Sequence, residues 1–397
     1  MSEWKKVRLG EIANYVNEKI DIKAFDTSLY ISTDSMLKDK GGIGTPESIP
    51  ESGKVTKYQH NDILVSNIRP YFKKIWFSNR EGGCSNDVLV FRANDNIDST
   101  FLYYVLSDDS FFDHMMSSAN GTKMPRGNRK LIPSFEIPLP PLSTQHRIAS
   151  ILSRYDSLIE NYQKQIKLLE EAAQRLYKEW LIDLRFPGHE NTMIVDGVPE
   201  GWEKKKLCEL FSFVRGKSYT SKELSDEGTI MVNLKNIQSF GGYKSDVEKH
   251  FIGTFKEEQT LMKGDLIMGV TDMTQERRLV GSVALIPDFK ETATFSMDLI
   301  KLISFKLPNI YLYCAMRYGD VSRQIAPLAN GVNVLHLKPE AISNIEMVVA
   351  SDSIIEKFVS YTSKTIERIL SLQSQLRLLT EARDRLLPKL MSGEITI

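Results

Sequence analysis

Three short basic clusters contain the side chains best suited to binding chemistry. They are RPYFKK from Arg69 to Lys74, KMPRGNRK from Lys123 to Lys130, and ERR from Glu276 to Arg278. Lys and Arg bind phosphate oxygens, and Arg also forms paired hydrogen bonds with base edges. The chain has 51 Lys and Arg against 51 Asp and Glu, so no overall field attracts a polyanion. The clusters therefore suggest local contacts with nucleic acid, with solvated surface loops as the alternative.

Catalytic and nucleotide-binding patterns are incomplete. RGKS from Arg215 to Ser218 resembles the end of a phosphate-binding loop, but Phe211 occupies the place of its first glycine. HENTM at His189 lacks the second histidine of a zinc-protease motif, and PDFKET at Pro287 lacks the second half of a nuclease site. No glycine-rich dinucleotide fingerprint and no Pro-Pro-aromatic methyltransferase tetrapeptide occur. We therefore predict a binding protein, with a single-chain enzyme as an open alternative.

Length and composition indicate several domains and no membrane segment. A chain of 397 residues predicts two or three domains, and 42% apolar residues suffice for a core in each. The N-terminal MSEWKKVRLGEI carries charges where a signal peptide needs apolar residues, and no run of apolar residues is long enough to span a bilayer. We expect a cytoplasmic protein. Cys84, Cys208 and Cys314 lie too far apart for a CxxC pair, so we expect buried, reduced thiols.

The chain repeats itself in the same order. The matching segments are WKKVRLGEI at Trp4 with WEKKKLCEL at Trp202, HNDILVSNIRPY at His60 with KGDLIMGVTDM at Lys263, and GCSNDVLVF at Gly83 with TFSMDLIKL at Thr294. The offset between copies drifts from 198 through 203 to about 210 residues. Such drift is expected when two copies of one unit diverge by changes in loop length.

Each copy ends in a predicted long helix. The segment LPPLSTQHRIASIL places two prolines before Ser143 and Thr144, whose hydroxyls are suited to cap a helix start. An apolar heptad follows without a miss, which predicts a coiled-coil seam that includes Leu152, Ile159, Ile166, Leu169 and Leu176. Roughly forty residues at about 1.5 Å each make a helix about 60 Å long.

The second helix repeats this seam about 210 residues later. Its apolar positions include Ile369, Leu372, Leu376, Leu379 and Leu386, while Thr362, Thr365 and Arg383 weaken it. Ser353 and Glu356 have the spacing of a capping box, and Pro388 suggests a kink or stop in the last turn. Two such stripes need partners, and antiparallel pairing of the helices is the simplest solution. As an alternative to pairing with the first helix, part of the second helix is expected to face another protein.

The globular halves are predicted to be of the α+β class. Strands are expected at DILVSNI, KKIWFS, DVLVF, DLIMGV and SVALIP, and a helix from Phe101 to Met116. The predicted limits are residues 1–142 for the first globular part, 143–186 for the first helix, 187–350 for the second globular part, and 351–397 for the second helix and tail.

These features together resemble the specificity subunit of type I restriction-modification systems. The resemblance lies in LPPLSTQHRIASIL opening the first helix, LLEEAAQRLYKEWLIDLRFPG closing it, and RLLTEARDRLLPKLMSGEI closing the second. The doubled W-x-x-x-x-L-x-E-[IL] opening and the doubled Asp-apolar strand agree with it. It covers essentially the whole chain.

The resemblance implies a non-catalytic protein. It implies two target recognition domains, each reading half of a bipartite double-stranded DNA site, with the helices setting the gap. It also implies that the helices dock two DNA methyltransferase subunits carrying S-adenosylmethionine, and that restriction and translocation subunits using ATP and Mg can join. This chain itself is expected to bind no cofactor. A coiled-coil scaffold without sequence-specific DNA binding is the alternative.

Candidate DNA contacts follow from the repeat. In the first domain we expect them in the loop after the DILV strand and after the turn near residue 121, and in the second domain at the matching positions. The candidates are Asn67, Arg69, Tyr71, Lys73, Lys123, Arg126, Arg129, Asn233, Lys235, Thr271, Asp272, Gln275, Arg277 and Arg278. The residue types differ between the two copies, as expected for two different half-sites. Neutral divergence of surface residues would produce the same difference.

Overall fold

The computed structural model describes residues 4–119, 121, 123–245 and 249–395. The chain divides into two compact units, Met1–Ser157 with Glu381–Ile397 (unit 1) and Leu158–Thr380 (unit 2). Each long helix contributes residues to both units, because the division falls within the helices. The domain limits predicted from the sequence treat the helices as separate segments, and they stay a prediction.

The described residues of unit 1 form small antiparallel sheets and three short α-helices. Its strands are β1 (Lys5–Arg8), β2 (Ala13–Tyr15), β3 (Lys19–Asp21), β4 (Lys54–Tyr58), β5 (Ile63–Ser66), β6 (Ile75–Phe77), β7 (Gly82–Cys84), β8 (Val88–Ala93) and β9 (Glu136–Leu139). Its short helices are α1 (Leu9–Ile12), α2 (Ser99–Ser107) and α3 (Asp109–Ser117). The main sheet has the order β2-β8-β5-β6, β3-β4-β7 form a second sheet, and β1 pairs with β9.

The central strand β5 is buried along its whole length. Its Ile63 and Val65 side chains belong to one core with Phe91 of β8 and with Phe101 and Phe111 of the two helices. The sequence predicted one helix over Phe101–Met116, and this is wrong. Asp108 ends α2 and caps α3, because its carboxylate accepts from the Ser110 N–H at 3.0 Å.

Unit 2 contains the corresponding elements. Its strands are β10 (Ile194–Val195), β11 (Val198–Pro199), β12 (Glu203–Lys206), β13 (Phe211–Arg215), β14 (Leu224–Ser225), β15 (Thr229–Val232), β16 (His250–Phe251), β17 (Leu266–Gly269), β18 (Thr271–Asp272), β19 (Val283–Leu285), β20 (Ala293–Phe295), β21 (Leu299–Ser304), β22 (Leu335–His336) and β23 (Glu346–Val349). Its short helices are α5 (Leu207–Leu210), α6 (Asn309–Tyr318) and α7 (Val321–Ile325). The main sheet has the order β13-β21-β17-β19.

The strand pairing of the two units follows the offsets seen in the sequence. Val65 pairs with Leu89 in unit 1, and Met268 pairs with Ile300 in unit 2. Likewise, β1 pairs with β9 as β12 pairs with β23. Unit 2 differs in its second sheet, which has four strands in the order β14-β16-β15-β20 and a parallel pair between β15 and β20. The five strands predicted from the sequence are confirmed.

The long helices are α4 (Leu142–Tyr177), which continues as a π-helical turn over Lys178–Ile182, and α8 (Asp352–Met391). Helix α4 begins one residue before the predicted cap at Ser143. The predicted capping box at Ser353 is wrong, because Ser353 is already helical and the Ser351 carbonyl accepts from Ile354 and Ile355. Helix α8 continues past Pro388 to Met391.

The two helices run antiparallel within unit 2. The buried Phe358 ring of α8 lies 5.9 Å from Tyr177 and 6.1 Å from Trp180, measured between ring centroids. Further along, Arg368 of α8 lies beside Gln165 of α4. Residues further along α8 contact residues earlier in α4, as antiparallel helices require.

The same direction holds within unit 1. Ile148 and Leu152 of α4 pack in one core with Leu387 and Leu390 of α8. Arg383, which the sequence indicated as a weak point of the seam, donates to the Asp156 carboxylate at 2.9 Å. The start of α4 is fixed to the globular part by Gln145. Its side chain accepts from the Asp98 N–H and donates to the Pro140 carbonyl, both at 2.9 Å.

The predicted seam residues lie on the inner side of both helices. Leu152, Ile159, Ile166, Ile369 and Leu372 are buried, and Leu169, Leu176, Leu376, Leu379 and Leu386 are half-buried. Thr362 is also buried, and its hydroxyl donates to the Phe358 carbonyl. The buried face of α8 is wider than the seam, because Ser374 donates to the Asp288 carbonyl of the globular part and Gln373 to the Tyr243 carbonyl.

The cysteines differ from one another. Cys84 and Cys314 are buried, and burial raises the pKa of each thiol to about 12. Cys208 is exposed, so the prediction of three buried thiols is wrong for it. Within the described ranges, none of the helices combines the length and apolar character that crossing a bilayer requires.

We expect Phe358→Ala to lower the free energy of unfolding by about 3–5 kcal/mol, because it removes a fully buried ring between three aromatic neighbours. Leu378→Ala on the same helix is the control, because Leu378 is 51% exposed and its loss should change stability by about 0.5 kcal/mol or less. Denaturant unfolding of both variants measures the difference. Equal effects would contradict the aromatic contact between the helices.

Candidate nucleic-acid interface

In unit 1, the structure joins the two basic clusters that lie far apart in the sequence. Ile68, directly after β5, forms an antiparallel bridge with Arg126. The Arg69 N–H donates to the Pro125 carbonyl at 2.8 Å, and the Gly127 N–H donates to the Asn67 carbonyl at 3.3 Å. The loops 67–74 and 123–130 therefore form one surface, which we call the unit 1 loop surface.

A third loop joins this surface in a strained conformation. The N–H groups of Asp39 and Lys40 donate to the carbonyls of Phe72 and Lys73, at 2.9 and 3.0 Å. Asp39, Lys40, Arg69 and Lys73 all have positive φ, between 48° and 61°. Non-glycine residues rarely adopt this region, and clusters of them occur at ligand-binding sites. The surface therefore has a backbone shape that its surroundings impose.

Cations gather around the Phe72 ring. The Lys38 ammonium lies 4.0 Å from the ring centroid, while the Arg69 guanidinium and the Lys74 ammonium each lie 5.9 Å from it. Burial lowers the pKa of Lys74, and the charge of Lys38 lowers it further. Sequence reasoning missed Lys38 as a member of this cluster, because nothing in the sequence shows that its loop meets Phe72.

Several predicted residues of this surface already have acidic partners. Lys73 pairs with Asp109 at 2.6 Å, and Arg126 pairs with Asp87 at 3.2 Å. Both pairs are partly or fully exposed to solvent, so each contributes little stability and can be exchanged for a phosphate. The guanidinium of Arg129 donates to the Asn86 carbonyl. These cations are oriented in advance by neighbours that a polyanion can displace.

In unit 2, the equivalent loop is organised by a buried carboxylate. Asp272 is 1% exposed, and it accepts from the Thr274 N–H and hydroxyl and from the Leu279 N–H at 2.8–2.9 Å. Thr271, beside it, pairs with His336 in the β18–β22 ladder. This pairing corresponds to the bridge between Ile68 and Arg126 in unit 1, at the same position after the central strand.

The remaining candidates of unit 2 lie on or beside this loop. The Gln275 side chain donates to the Val332 carbonyl at 2.8 Å, and Arg278 is exposed and pairs with Glu276 at 2.6 Å. Arg277 has a φ of 54°, the same strained region as Arg69. The Phe240 N–H donates to the Arg278 carbonyl at 3.0 Å, which joins a further hairpin to the loop. Loops 238–241, 271–279 and 330–336 form the unit 2 loop surface.

The predicted contacts fall into two groups by burial. Residues with an accessible side chain are Arg69, Tyr71, Lys73, Lys123, Arg126, Arg129, Lys235, Gln275, Arg277 and Arg278. Asn67, Asn233, Thr271 and Asp272 are buried. Asn233 caps the 3-10 turn Leu234–Asn236, since its side-chain oxygen accepts from the Lys235 N–H at 3.0 Å. We infer that these four support the loops, and all the proposed DNA contacts stay predictions.

Comparison with known proteins gives a consistent result. Residues 1–171 match the family described as the type I restriction modification DNA specificity domain. The MjaIX specificity subunit of Methanocaldococcus jannaschii is 27% identical over 76% of this chain and 70% of its own length. The HindI specificity subunit of Haemophilus influenzae is 23% identical over all of both chains. The crystal structure of the type I restriction-modification S subunit from M. genitalium matches 98% of this chain and 96% of its own at 18% identity, with a TM-score of 0.61, which supports the fold.

We expect Asp272→Ala to loosen the 273–279 loop. The substitution removes the acceptor of the Thr274 and Leu279 amides, so their hydrogen exchange should become roughly tenfold faster. Glu276→Ala is the control, because Glu276 is an exposed acid of the same loop and pairs only with the neighbouring Arg278 in the contacts described. Unchanged exchange in the Asp272 variant would show that the carboxylate does not order the loop.

Proposed function

The chain belongs to the DNA specificity subunits of type I restriction-modification systems, which are non-catalytic, and on this premise we propose that its two units read the two halves of a bipartite DNA target. In the proposed arrangement, two target recognition domains in tandem are separated by an antiparallel pair of coiled-coil helices. The first domain reads one half-site through the unit 1 loop surface. The second reads the other through the unit 2 loop surface.

The pairing of distant loops in each unit carries this proposal. The Ile68–Arg126 bridge and the Thr271–His336 pair occupy equivalent places after the central strand of equivalent sheets. Each pair presents Arg together with polar or aromatic side chains on loops fixed to a rigid sheet. Arg and Lys hold the DNA register through phosphates, and Arg and Gln discriminate bases. Two surfaces of the same construction but different residues are suited to two different half-sites.

The helices are proposed to set the gap between half-sites. One molecule reads two half-sites only when its recognition surfaces keep a fixed spacing and rotation on the duplex. The aromatic contacts of Phe358 in unit 2 and the Arg383–Asp156 pair in unit 1 support a rigid antiparallel helix pair. Both contacts cross from α4 to α8, so the helices are held on either side of the division between the units.

The outer helix surfaces are proposed to dock two DNA methyltransferase subunits. Leu158 and Leu168 of α4 and Tyr361 and Leu378 of α8 are 43–65% exposed. Exposed large apolar residues on a long helix are suited to a protein interface. The methyltransferases would carry S-adenosylmethionine, and restriction and translocation subunits would bring ATP and Mg. A cytoplasmic location belongs to the same proposal.

The neutral charge of the chain suggests that its partners supply many phosphate contacts. With 51 basic and 51 acidic residues, the chain alone has little long-range attraction for DNA. We therefore expect the complex with the methyltransferase to bind its target more tightly than the isolated chain does. Equal affinities would overturn this part of the proposal.

Mapping of methylated adenine tests the proposed function. In cells that contain this chain and its methyltransferase, long-read sequencing should give a methylated motif of two parts. A variant with Arg126→Ala and Arg129→Ala should relax or abolish one part alone. Lys6→Ala is the control, because Lys6 is an exposed cation on β1 in the same unit. If the complex assembles but no bipartite motif appears, the scaffold alternative is favoured.

We expect Arg69→Ala to weaken binding of the complex to its target by about 1–3 kcal/mol and to relax discrimination at one base position. Arg69 is half-buried in the loop surface, where the backbone fixes its position through the Pro125 carbonyl. Competition binding with single-base variants of the target measures the effect. A uniform loss across sequences, with a smaller salt dependence, would mark Arg69 as a phosphate contact instead.

A further inference from the structure

An exposed phenylalanine stands at the tip of a hairpin in unit 2. Phe240 is 70% exposed and has a φ of 66°. Burying such a side chain is normally favourable, and a bulky residue in this backbone region is an outlier. Phe240 therefore combines an apolar ring exposed to water with an unfavourable backbone conformation. Such a combination suggests a function for the residue.

The hairpin that carries Phe240 is held by backbone hydrogen bonds. Ile237 and Tyr243 form an antiparallel bridge, and the Gly241 N–H closes the turn onto the Gln238 carbonyl at 2.9 Å. The Phe240 N–H is held by the Arg278 carbonyl at 3.0 Å. The exposed ring is therefore presented by a turn that is fixed on both sides.

A half-buried ion pair supports the hairpin from below. Arg317 donates to both carboxylate oxygens of Glu170 on α4, at 2.8 and 3.0 Å. The side chain of Arg317 lies directly under Gly241 and Gly242, where an added Cβ would come within 3.0 Å of it. The contact chain within unit 2 thus runs from α4 through Arg317 to the turn that presents Phe240.

The loops joined to the hairpin carry further exposed apolar and cationic side chains. Met273 is 74% exposed and Val332 is 88% exposed. The loop of Met273 is joined to that of Val332 by the hydrogen bond from Gln275, and to the hairpin by the Arg278 carbonyl. An apolar tip among Arg and Gln side chains is suited to a surface that is itself partly apolar and partly polar, such as base edges in a DNA groove.

The shape of the tip selects the groove. The major groove of B-DNA admits a two-stranded ribbon, whereas the minor groove is about half as wide. The apolar group that base pairs expose in the major groove is the thymine C5 methyl. In unit 1 the corresponding hairpin, with its bridge between Met36 and Ile43, has Asp39 and Lys40 at its tip instead. The two units therefore present different chemistry at equivalent tips.

We propose that Phe240 is a specificity-determining residue of the second domain that contacts a thymine methyl group in the major groove of its half-site. Met273 and Val332 extend the apolar surface around this contact. Arg317 is a positioning residue that acts through the hairpin. The inference rests on the proposed function, because it requires that unit 2 reads DNA.

Replacing thymine by uracil tests the contact, because the two bases differ only in the C5 methyl. The full chain is assembled with its methyltransferase and bound to duplexes carrying the target found by methylation mapping. Each thymine of the target is replaced by uracil in turn. At one position, the wild-type complex should lose roughly fourfold in affinity, the value of one buried methyl group. The Phe240→Ala complex should bind the thymine duplex with roughly tenfold lower affinity than the wild type. Replacing that thymine by uracil should not lower the affinity of this variant any further.

Phe305→Ala is the matched control. Phe305 is a 56% exposed phenylalanine of the same unit, and it follows β21 at the end of the sheet opposite to the loop surface. Its variant should bind the thymine duplex as the wild type does and keep the loss on uracil. Thermal unfolding of both variants should match the wild type, because both side chains are exposed.

Two results would overturn the inference. Wild-type affinity in Phe240→Ala would show that the ring does not contact DNA. The second result is that Phe240→Ala lowers the affinity by the same factor on the thymine and uracil duplexes at every position. That result would show that the ring contacts something other than a methyl group, for example by inserting between base pairs. A wild-type complex that fails to bind the mapped target would instead contradict the proposed function itself.

Discussion

The candidate site depends on one backbone interaction made twice. In each unit, the residue that leaves the central strand pairs with a loop that lies far away in the sequence, as Ile68 does with Arg126 and Thr271 with His336. The central strands are buried on both faces, so a slip of one residue would move each apolar side chain into the core on the opposite face. The position of each loop pair is therefore set by the sheet. Side chains on these loops start from fixed places, which lowers the entropy lost when they bind a ligand.

Packing of the long helices continues this constraint. A heptad stripe alone favours a helix pair, but here the stripe is combined with contacts to the globular parts. In unit 2, Phe358 packs between Tyr177 and Tyr311, so the same ring contacts α4 and α6. In unit 1, Asp156 accepts from Arg383 of α8 and from the Tyr104 hydroxyl of α2. Each unit thereby packs a long helix against one of its short helices, α6 in unit 2 and α2 in unit 1.

The sequence predicts the parts of this fold that depend on periodicity and fails where single contacts decide. The repeat offsets, the strands and the long helices follow from patterns that extend over many residues. The break at Asp108, the start of α8 before Ser353 and the exposure of Cys208 depend on local hydrogen bonds and neighbours. Family resemblance supplied the function, because no catalytic or binding motif in the sequence identifies a specificity subunit by itself.

The candidate residues show the same division. Chain position placed Arg69, Arg126 and Arg278 on loops, and the structure joins these loops into surfaces. Position in the sequence does not show which polar side chains are turned inward. In the structure, Asn67, Asn233 and Asp272 are buried. Phe240 was absent from the sequence-based candidates, because its exposure results from a turn held by the distant Arg278 and Arg317.

A change in spacer length would test the central claim most directly. Seven residues would be inserted after Ser157 in α4 and seven after Thr380 in α8, where the division between the units falls. One heptad in each helix keeps the seam in phase and adds about 10 Å, or about three base pairs. Mapping of methylated adenine should then give the same two half-sites with a gap about three base pairs longer. The same half-sites with an unchanged gap would contradict the account.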